Sequence, residues 1–159
     1  MVGYSQGANN DSEFDVTKYV RKGSNSVAVE VIRWSDGSFL EDQDMFRLSG
    51  IHRSVWMYAA PKTDICDLRL SSRFEGDDFS EAVFCATADI RRTGSGKSGC
   101  TLHIELIDPE GRTVFSKDAG SVTVSPSAQA RIDFEQTVKA PALWSAETPA
   151  LYTVVASLK

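Results

Sequence analysis

The sequence predicts an all-β protein, in which an immunoglobulin-like β-sandwich over residues 61–159 is preceded by a partial jelly-roll β-sandwich segment over residues 1–60. Two observations support this fold class. After Pro61, apolar and polar residues alternate in short runs separated by turn signals, which is typical of half-buried strands. Before Pro61, only three or four runs have strand character, whereas a jelly roll has eight strands. We therefore predict one complete and one incomplete domain.

The first three runs after Pro61 each place apolar side chains on one face of a strand. Their apolar positions are Cys66, Leu68 and Leu70; Ala82, Phe84, Ala86, Ala88 and Ile90; and Leu102, Ile104 and Leu106. The third run ends at Asp108–Gly111, where Pro109 occupies the second position of a turn. Residues Arg112–Phe115 then leave this turn as the returning arm of a hairpin.

Three further strands complete the predicted sandwich. They are Val122–Val124, a run with apolar positions Ala130, Ile132 and Phe134, and a run with apolar positions Tyr152, Val154, Ala156 and Leu158. Seven strands in about a hundred residues are typical of an immunoglobulin-like sandwich. Tyr152 fits a corner tyrosine whose hydroxyl bonds back to the chain. Trp144 fits a ring that closes the bottom of the sandwich, or alternatively one that stacks on a sugar.

The first sixty residues contain strand-like runs that cannot close a sandwich by themselves. Phe14 and Val16 alternate with polar neighbours, Ser26–Ile32 is rich in β-branched residues, and Val55–Ala60 is apolar. A sheet needs a second layer over its apolar face. We therefore expect this segment to lean on the following domain or on a second copy of the chain, or to be partly disordered. Its exposed strand edges predict self-association into a homo-oligomer.

Composition and charge argue against two classes of partner. In 159 residues, no apolar run approaches the roughly 18 residues that cross a bilayer, so we expect no membrane partner. The net charge of −5 and the pI near 5.0 argue against nucleic acid, whose recognition starts from a basic patch. The amino terminus lacks the charged and apolar regions of a signal peptide, which leaves the cellular location open.

The cysteines and histidines give no recognised motif. Cys66, Cys85 and Cys100 are odd in number and have no C-x-x-C spacing, so we expect neither a zinc site nor more than one disulfide. The simplest interpretation is three small, partly buried thiols. Neither histidine has a serine or cysteine nucleophile at motif spacing. His103 lies on the polar side of its strand, which predicts a surface residue.

A long loop at residues 33–50 concentrates the residues with chemical potential. It contains four carboxylates and three aromatic rings, and its apolar residues follow neither the strand period nor the helix period. These residues are Asp36, Glu41, Asp42, Asp44, Trp34, Phe39 and Phe46. Because ordering such a loop costs backbone entropy, we expect a polyol, a cation or a neighbouring domain to hold it. An EF-hand is not supported, because Arg47 stands where that loop needs glycine.

This loop also carries a family resemblance. The run Val31–Gly50, with its Trp-Ser-Asp-Gly and Leu-Glu-Asp-Gln-Asp-Met segments, resembles the end of the sugar-binding domain in the large β-galactosidases of glycoside hydrolase family two. Val2–Gly7 and Glu13–Thr17 resemble the strands before that loop, and Pro141–Tyr152 resembles the close of the next, immunoglobulin-like domain. The resemblance covers nearly the whole chain, without the barrel that would carry the catalytic carboxylates.

The resemblance implies roles for individual residues. Asp44 occupies the family position that reaches into the active site of the barrel, near the non-reducing galactose and a monovalent cation. Asp44 is thus the candidate for substrate binding and for a metal contact, with simple loop capping as the alternative. Phe46 departs from the tryptophan of many relatives but keeps an aromatic ring. No cofactor is expected in this chain, whereas the parent enzyme would use sodium and magnesium.

The loop acids are poor candidates for catalysis. A retaining glycosidase needs two carboxyl groups about 5–5.5 Å apart across the sugar ring. The four acids lie in one loop with no second scaffold to oppose them, so we predict no catalytic residue here. We expect Asp36 and Asp42 to brace the loop, with Arg33, Arg47 or Arg53 as partners. Trp34, Asp36, Asp42, Phe46 and Arg47 are the expected loop-supporting residues.

Two functions remain open at this level. The first is a non-catalytic fragment of a β-galactosidase, inactive alone, whose parent hydrolyses terminal non-reducing β-D-galactose and whose partners are a β-galactoside sugar and the missing catalytic barrel. The incomplete first sandwich and the abrupt ends of the chain favour it. The second is a free-standing carbohydrate-binding or adhesive β-sandwich module. A purely structural spacer would explain residues 61–159 but not the loop.

Overall fold

The structure, a computed structural model, describes residues 1–6, 10–41, 43–44, 46 and 48–159. These residues form two compact units, Met1–Met57 and Tyr58–Lys159. The elements in chain order are α1 (Gly37–Leu40), β1 (Thr63–Phe74), β2 (Glu81–Arg92), β3 (Ser98–Ile107), β4 (Thr113–Val124), β5 (Gln129–Lys139) and β6 (Thr153–Leu158). Within the described residues, no helix is long and apolar enough to span a membrane.

The strands of the second unit form two antiparallel sheets of three strands each. The first sheet has the order β1-β2-β5, and the second has the order β4-β3-β6. β2 is therefore the central strand of one sheet and β3 that of the other. β2 pairs along nearly its whole length with both neighbours, whereas β3 pairs along its whole length with β4 and over Leu102–Ile107 with β6. The all-β class predicted from the alternation is confirmed.

The alternation of side chains decides which face of each sheet is buried. In β2 the residues Ala86, Ala88 and Ile90 are buried. Cys85 and Thr87, which lie on the outer face, are only half-buried. The same predicted alternation is found in β3, β5 and β6. The inner faces of the two sheets share one core, whose fully buried larger members are Ile90, Leu102, Ile104 and Val124. Two half-covered sheets thus bury each other.

An aromatic cluster joins the two sheets. The ring centroids of Phe84 on β2 and Phe115 on β4 are 5.6 Å apart. Phe134 on β5 lies 6.5 Å from Phe84 and 5.9 Å from Phe115. Such tilted and edge-on ring pairs contribute about 0.5–1.5 kcal/mol each beyond the area they bury. The cluster therefore adds directional packing where the two sheets meet.

One strand replaces two predicted strands. Residues 112–115 and 122–124 were expected to form separate strands, but residues 113–115 and 122–124 belong to the single strand β4, so the sandwich has six strands. The polar stretch between them also pairs with β3, with a bulge at Ala119. On either side of the bulge, Gly120 lies opposite Leu102 and Asp118 lies opposite His103. Gly120 faces Ile132, where an added Cβ would meet the isoleucine Cγ2 at 3.1 Å. Glycine is the residue that fits this close approach.

The turn between β3 and β4 is fixed by one carboxylate. Asp108 accepts hydrogen bonds from the backbone N–H groups of Glu110 at 3.0 Å and Arg112 at 2.8 Å, and from Arg112 Nε at 2.7 Å. These donors hold the pKa of Asp108 below its usual value, with the Arg112 backbone N–H as the largest cause. Gly111 adopts a φ of 83°, which suits glycine. The turn predicted from Asp108–Gly111 is confirmed.

Two aromatic residues before β6 behave differently. The hydroxyl of Tyr152 accepts a hydrogen bond of 2.8 Å from the backbone N–H of Ala142, which confirms the expected corner tyrosine. The expectation that Trp144 closes the bottom of the sandwich is wrong, because its side chain is 62% exposed. Trp144 forms an isolated bridge with Pro149, and this bridge carries the ring on the surface. The core includes Phe84, with Phe115, Phe134 and Tyr152 packed against it, and Trp144 is not among its members.

The outer face of the β1-β2-β5 sheet carries an ordered ionic cluster. Asp89 on the central strand accepts hydrogen bonds from Arg131 Nε at 2.8 Å and from Arg69 Nη2 at 3.0 Å. Arg69 also contacts Asp67. The guanidinium groups of Arg131 and then Arg69 lower the pKa of Asp89 to about 2. The cluster therefore ties the two edge strands to the central one.

The first unit has no strand among its described residues. The runs predicted as strands at Phe14–Val16, Ser26–Ile32 and Val55–Ala60 form no β-ladder, and most of their apolar side chains are exposed. A sheet needs a second layer over its apolar face, and the exposed side chains of these runs have no such layer among the described residues. Local contacts do occur: Asn25 bonds the backbone of Arg21 in both directions, and the ring of Phe14 occupies the space that a Cβ of Gly3 would need.

We predict that Ile104→Ala destabilises the chain by about 2–5 kcal/mol, because Ile104 is fully buried at the centre of the core and its truncation leaves a cavity. Urea unfolding followed by far-ultraviolet circular dichroism measures this difference. The control is Val155→Ala, at an outward-facing position of the same sheet, which should change stability by less than about 0.5 kcal/mol. Equal effects of the two changes would contradict the assigned core.

We predict that the stability lost in Asp89→Asn depends on pH. The contribution of the Asp89 carboxylate is fully present above its unfolded-state pKa of about 3.9 and disappears as the pH falls through the folded value of about 2. The urea midpoints of the wild type and of Asp89→Asn, measured between pH 2 and pH 7, should therefore differ most at neutral pH and become equal at the acid end. Asp77→Asn, in the β1–β2 turn, is the control that should follow the wild type throughout. A constant difference at every pH would refute the ionic origin.

Candidate functional site

The loop at residues 33–50 is shaped by local hydrogen bonds around α1. The backbone N–H of Ser38 bonds the Ser35 carbonyl at 3.0 Å, that of Phe39 bonds the Asp36 carbonyl at 3.2 Å, and that of Glu41 bonds the Gly37 carbonyl at 2.9 Å. The Ser38 hydroxyl also bonds the carbonyl of Arg33 at 3.3 Å. The loop thus contains a single helical turn, which the sequence did not predict.

Aromatic side chains of this loop face outward. The guanidinium carbon of Arg33 lies 4.9 Å from the centre of the Trp34 ring, a cation–π contact. Trp34 and Phe39 are exposed, and Phe46 is 94% exposed. These exposed rings present apolar surface to the solvent and are not packed in a core. Such rings suit contact with another surface or a sugar face.

The carboxylates have different surroundings. Asp36 accepts a hydrogen bond from the Gln6 amide, which lies thirty residues earlier. An arginine partner for Asp36 stays a prediction, because Arg47 lies outside the described residues. Arg33 is used instead in the stack on Trp34. Asp44 is exposed, and its side chain makes no hydrogen bond or ion pair to another described residue. The candidate support residues Asp42 and Arg47 lie outside the described residues. Asp44 as a sugar-binding and cation-binding residue stays a prediction.

The part of the chain that the structure describes contains no preformed metal site. There, no group of three or more histidine, cysteine, aspartate or glutamate side chains is arranged to hold an ion. A hard cation needs six to eight oxygen ligands, or several waters beside one or two carboxylates. A cation at Asp44 would therefore take most of its ligands from water or from another domain.

Among the described residues, a polar cluster on the outer face of the second sheet most resembles the arrangement of side chains in a catalytic site. His103 Nδ1 lies 2.6 Å from Asp118 Oδ1, and His103 Nε2 lies 2.9 Å from Ser116 Oγ. The Lys159 ammonium lies 2.9 Å from His103 Nδ1 and 3.2 Å from Asp118. The imidazole and then the ammonium lower the pKa of Asp118. Serine, histidine and carboxylate thus stand in the order of a hydrolase triad.

This cluster is nevertheless suited to strand pairing rather than to hydrolysis. A serine nucleophile needs donors for the oxyanion and a concave site for the substrate. Ser116 and Asp118 are exposed on the surface of an edge strand, and His103 is half-buried between them. The ammonium of Lys159 also competes for the nitrogen that the carboxylate would orient. The surface position predicted for His103 agrees with this arrangement.

The cysteines are free thiols. Cys100 is buried, and burial raises the pKa of its thiol. Cys85 lies on the outer face beside Arg73, whose Nη1 is 2.8 Å from the sulfur and whose guanidinium also makes a bidentate pair with Glu135 at 2.9 Å. Arg73 lowers the pKa of the Glu135 carboxyl. The three partly or fully buried thiols expected from the sequence are found.

Comparison with protein families identifies the chain. Residues 1–61 match the sugar-binding domain of glycosyl hydrolases family 2, and residues 63–159 match a second domain described as glycosyl hydrolases family 2. The chain therefore belongs to glycosyl hydrolases family 2. A β-galactosidase from Priestia megaterium is 38% identical over 160 residues, which cover the whole of this chain and 15% of that enzyme. The chain thus spans about a seventh of the length of this relative.

Solved structures share the fold. A β-glucuronidase 2 from Bacteroides uniformis matches 74% of this chain and 15% of its own length, with a TM-score of 0.67 and 21% identity. A putative β-galactosidase from Bacteroides fragilis matches 61% of this chain and 15% of its own length, with a TM-score of 0.54 and 21% identity. At this identity the likeness concerns the fold alone.

Sequence reasoning missed the partners of His103. Ser116 and Asp118 are more than ten residues away along the chain, and both contact the ring. The turn at Asp108–Gly111 does not supply the register of these contacts, because a bulge between Leu106 and Ile107 shifts the pairing by one residue before Ser116 is reached. Gln6 as the partner of Asp36 had no signal in the sequence either, because their contact spans thirty residues without a shared strand ladder.

We predict that the isolated chain binds neither galactose nor lactose at millimolar concentration, with or without sodium and magnesium. A sugar site needs several converging hydrogen-bonding groups, and Asp44 is exposed without a described partner. Isothermal titration calorimetry measures this, with Asp44→Ala as the matched control that should give the same trace. Saturable heat that disappears in Asp44→Ala would instead establish an autonomous sugar-binding module.

Proposed function

We propose that this chain is a non-catalytic part of a β-galactosidase that hydrolyses terminal non-reducing β-D-galactose. The observation that carries the proposal is the 38% identity to the Priestia megaterium β-galactosidase along the whole chain. The matched solved structures include β-glucuronidases, but their identity to this chain is about half as great and supports the fold only. The relative thus favours galactose over glucuronic acid as the sugar.

The loop carboxylates support a binding role better than a catalytic one. Retaining hydrolysis needs an acid and a nucleophile on opposite sides of the anomeric carbon. Asp36 is engaged by Gln6 and is a loop brace, while Asp44 stands free of described partners. A carboxylate accepts hydroxyl hydrogen bonds and also ligates cations. We infer that Asp44 contacts the sugar and a monovalent cation only when a catalytic barrel supplies the remaining groups.

The second unit acts in this proposal as a rigid support. Its core is shared by both sheets, and its outer faces are covered by cross-strand ionic and polar clusters. A sandwich built in this way keeps its shape without a ligand. It would serve as a structural spacer, while the chemistry occurs elsewhere in the enzyme.

A chimera tests the proposal. The matching segment of the Priestia megaterium β-galactosidase is replaced by these 159 residues, and hydrolysis of a nitrophenyl β-galactoside and of the corresponding β-glucuronide is measured. We expect activity on the galactoside alone. In the chimera, Asp44→Ala should lower kcat/KM by about 10- to 150-fold, the range expected for losing a hydrogen bond to a charged group.

The control in the same chimera is Asp77→Ala, which removes an exposed carboxylate from the β1–β2 turn of the second unit and should leave kcat/KM unchanged. Thermal unfolding of each chimera verifies that it is folded. Equal kinetics of the Asp44→Ala and Asp77→Ala chimeras would contradict the sugar-contacting role. Preference for the glucuronide would contradict the assignment as a β-galactosidase.

A further inference from the structure

We propose that the connection between β5 and β6, residues 140–152, carries an apolar surface that docks on the catalytic barrel of the same enzyme. The surface consists of Leu143, Trp144 and Leu151, and we call it the docking surface. This inference rests on the proposed function, because its partner is the part of the β-galactosidase that lies outside the chain. It adds the residues through which the sandwich makes the contact.

The docking surface is the most exposed apolar part of the sandwich. Among the large hydrophobic residues of the segment 63–159, Leu151 is 70% exposed and Trp144 is 62% exposed, whereas every other such residue is less than half exposed. Leu143, at 47%, lies in the same connection. Single exposed apolar residues are ordinary, but a concentration of them on one short segment is typical of an interaction site.

Local hydrogen bonds hold this connection in one shape. Trp144 and Pro149 form an isolated antiparallel bridge. Inside the bridge, the backbone N–H of Ser145 donates to the carbonyl of Thr148 at 3.1 Å, and that of Thr148 donates to the Ser145 hydroxyl at 3.0 Å. The hydroxyl of the corner residue Tyr152 closes the base of the connection. The docking surface is therefore ordered before it meets a partner, which reduces the entropy lost on binding.

The sandwich does not need these side chains for its own packing. Within the described residues, none of the three belongs to the core or to the apolar residues packed against it, whereas the neighbouring Tyr152 does. The bridge also keeps the Trp144 ring at the surface. Large apolar side chains that stay in water forgo the stabilisation that burial provides. A second domain that covers them would supply it.

A sugar is a poor occupant of this surface. A sugar-binding ring works together with several converging hydrogen-bonding groups. The hydroxyl groups of Ser145 and Thr148, which follow Trp144 in the chain, are 3.2 Å apart and bond to each other. They are thus used to hold the connection together. The docking surface itself offers only apolar atoms and one indole N–H.

The relatives indicate which partner is available. The chain spans 15% of the Priestia megaterium β-galactosidase, and the matched segment is likewise 15% of the Bacteroides uniformis β-glucuronidase 2. Most of either enzyme therefore lies outside the matched segment. Domains of one chain keep a fixed arrangement only when their interface is large and hydrophobic. A rigid apolar surface on the sandwich meets this requirement, so we assign the catalytic barrel to it.

Cysteine labelling tests the contact. Leu151→Cys is introduced into the isolated chain and into the chimera with the Priestia megaterium enzyme, and modification by iodoacetamide is followed by mass spectrometry of the peptide that carries this position. We expect labelling in the chimera to be at least about tenfold slower than in the isolated chain, because a covered thiol reacts only while the domains are apart. The matched control is Val114→Cys, at a valine on β4 that is 40% exposed, which should be labelled equally fast in both.

Removal of the ring provides a second test. In the chimera, Trp144→Ser should return the labelling rate of Leu151→Cys to that of the isolated chain, and should lower the temperature of thermal unfolding by several degrees. In the isolated chain, Trp144→Ser should leave the unfolding temperature nearly unchanged, because the ring is exposed there. Circular dichroism verifies that each variant is folded.

Three outcomes would overturn the docking surface. The first is equally fast labelling of Leu151→Cys in the chimera and in the isolated chain. The second is an equal loss of thermal stability in Trp144→Ser in both, which would mean that the ring packs within the chain itself. The third is protection of Leu151→Cys in the isolated chain that increases with protein concentration, which would assign the surface to a second copy.

Galactoside hydrolysis by the unsubstituted chimera separates this inference from the proposed function. A chimera that does not hydrolyse the galactoside but protects Leu151→Cys would contradict the proposed function alone. A chimera that hydrolyses it while Leu151→Cys is labelled rapidly would contradict the docking surface alone.

Discussion

The packing of β2 against β3 is the interaction on which the rest of the structure depends. Each is the central strand of its sheet, and their inward residues Ile90, Leu102 and Ile104 are almost completely removed from water. Burying a side chain of this size contributes about 1.5–3 kcal/mol, which is a large share of the net stability of a small domain. The edge strands are ordered by pairing onto this central layer. The ionic cluster at Asp89 and the polar cluster at His103 then fix the outer faces.

The described residues of the first unit form no comparable layer. Its valines in Ser26–Ile32 have the composition of a strand, yet their side chains are exposed and no described ladder forms. The contrast explains why the loop at residues 33–50 keeps its rings and Asp44 exposed. A loop of this kind is useful only when another surface completes it. Membership of glycosyl hydrolases family 2 is consistent with this dependence, because the matched β-galactosidase is much longer than the chain.

Most of the sandwich could be predicted from the sequence because its strands are half-buried. Alternation along Ala82–Ile90 and Leu102–Leu106 reports directly which face is covered, and the turn residues at Asp108–Gly111 report where the chain reverses. Alternation fails where a strand is irregular. The bulge at Ala119 breaks the period, so one strand was interpreted as two. Trp144 was expected to close the bottom of the sandwich, but it is exposed, because the type of a residue does not show what packs on it.

The candidate site was less predictable for a related reason. The composition of the loop indicates which groups it offers, but its partners are set by distant contacts such as that between Gln6 and Asp36. The family resemblance suggested the role proposed for Asp44, because local periodicity carries no information about a ligand.

The central claim is that a self-sufficient sandwich is joined to a unit that depends on other parts of a protein. Native-state hydrogen exchange of the 159-residue chain tests it most directly. Slow exchange in β2 and β3 with fast exchange over Ser26–Ile32 is the predicted result, and equally slow exchange in Ser26–Ile32 would contradict it.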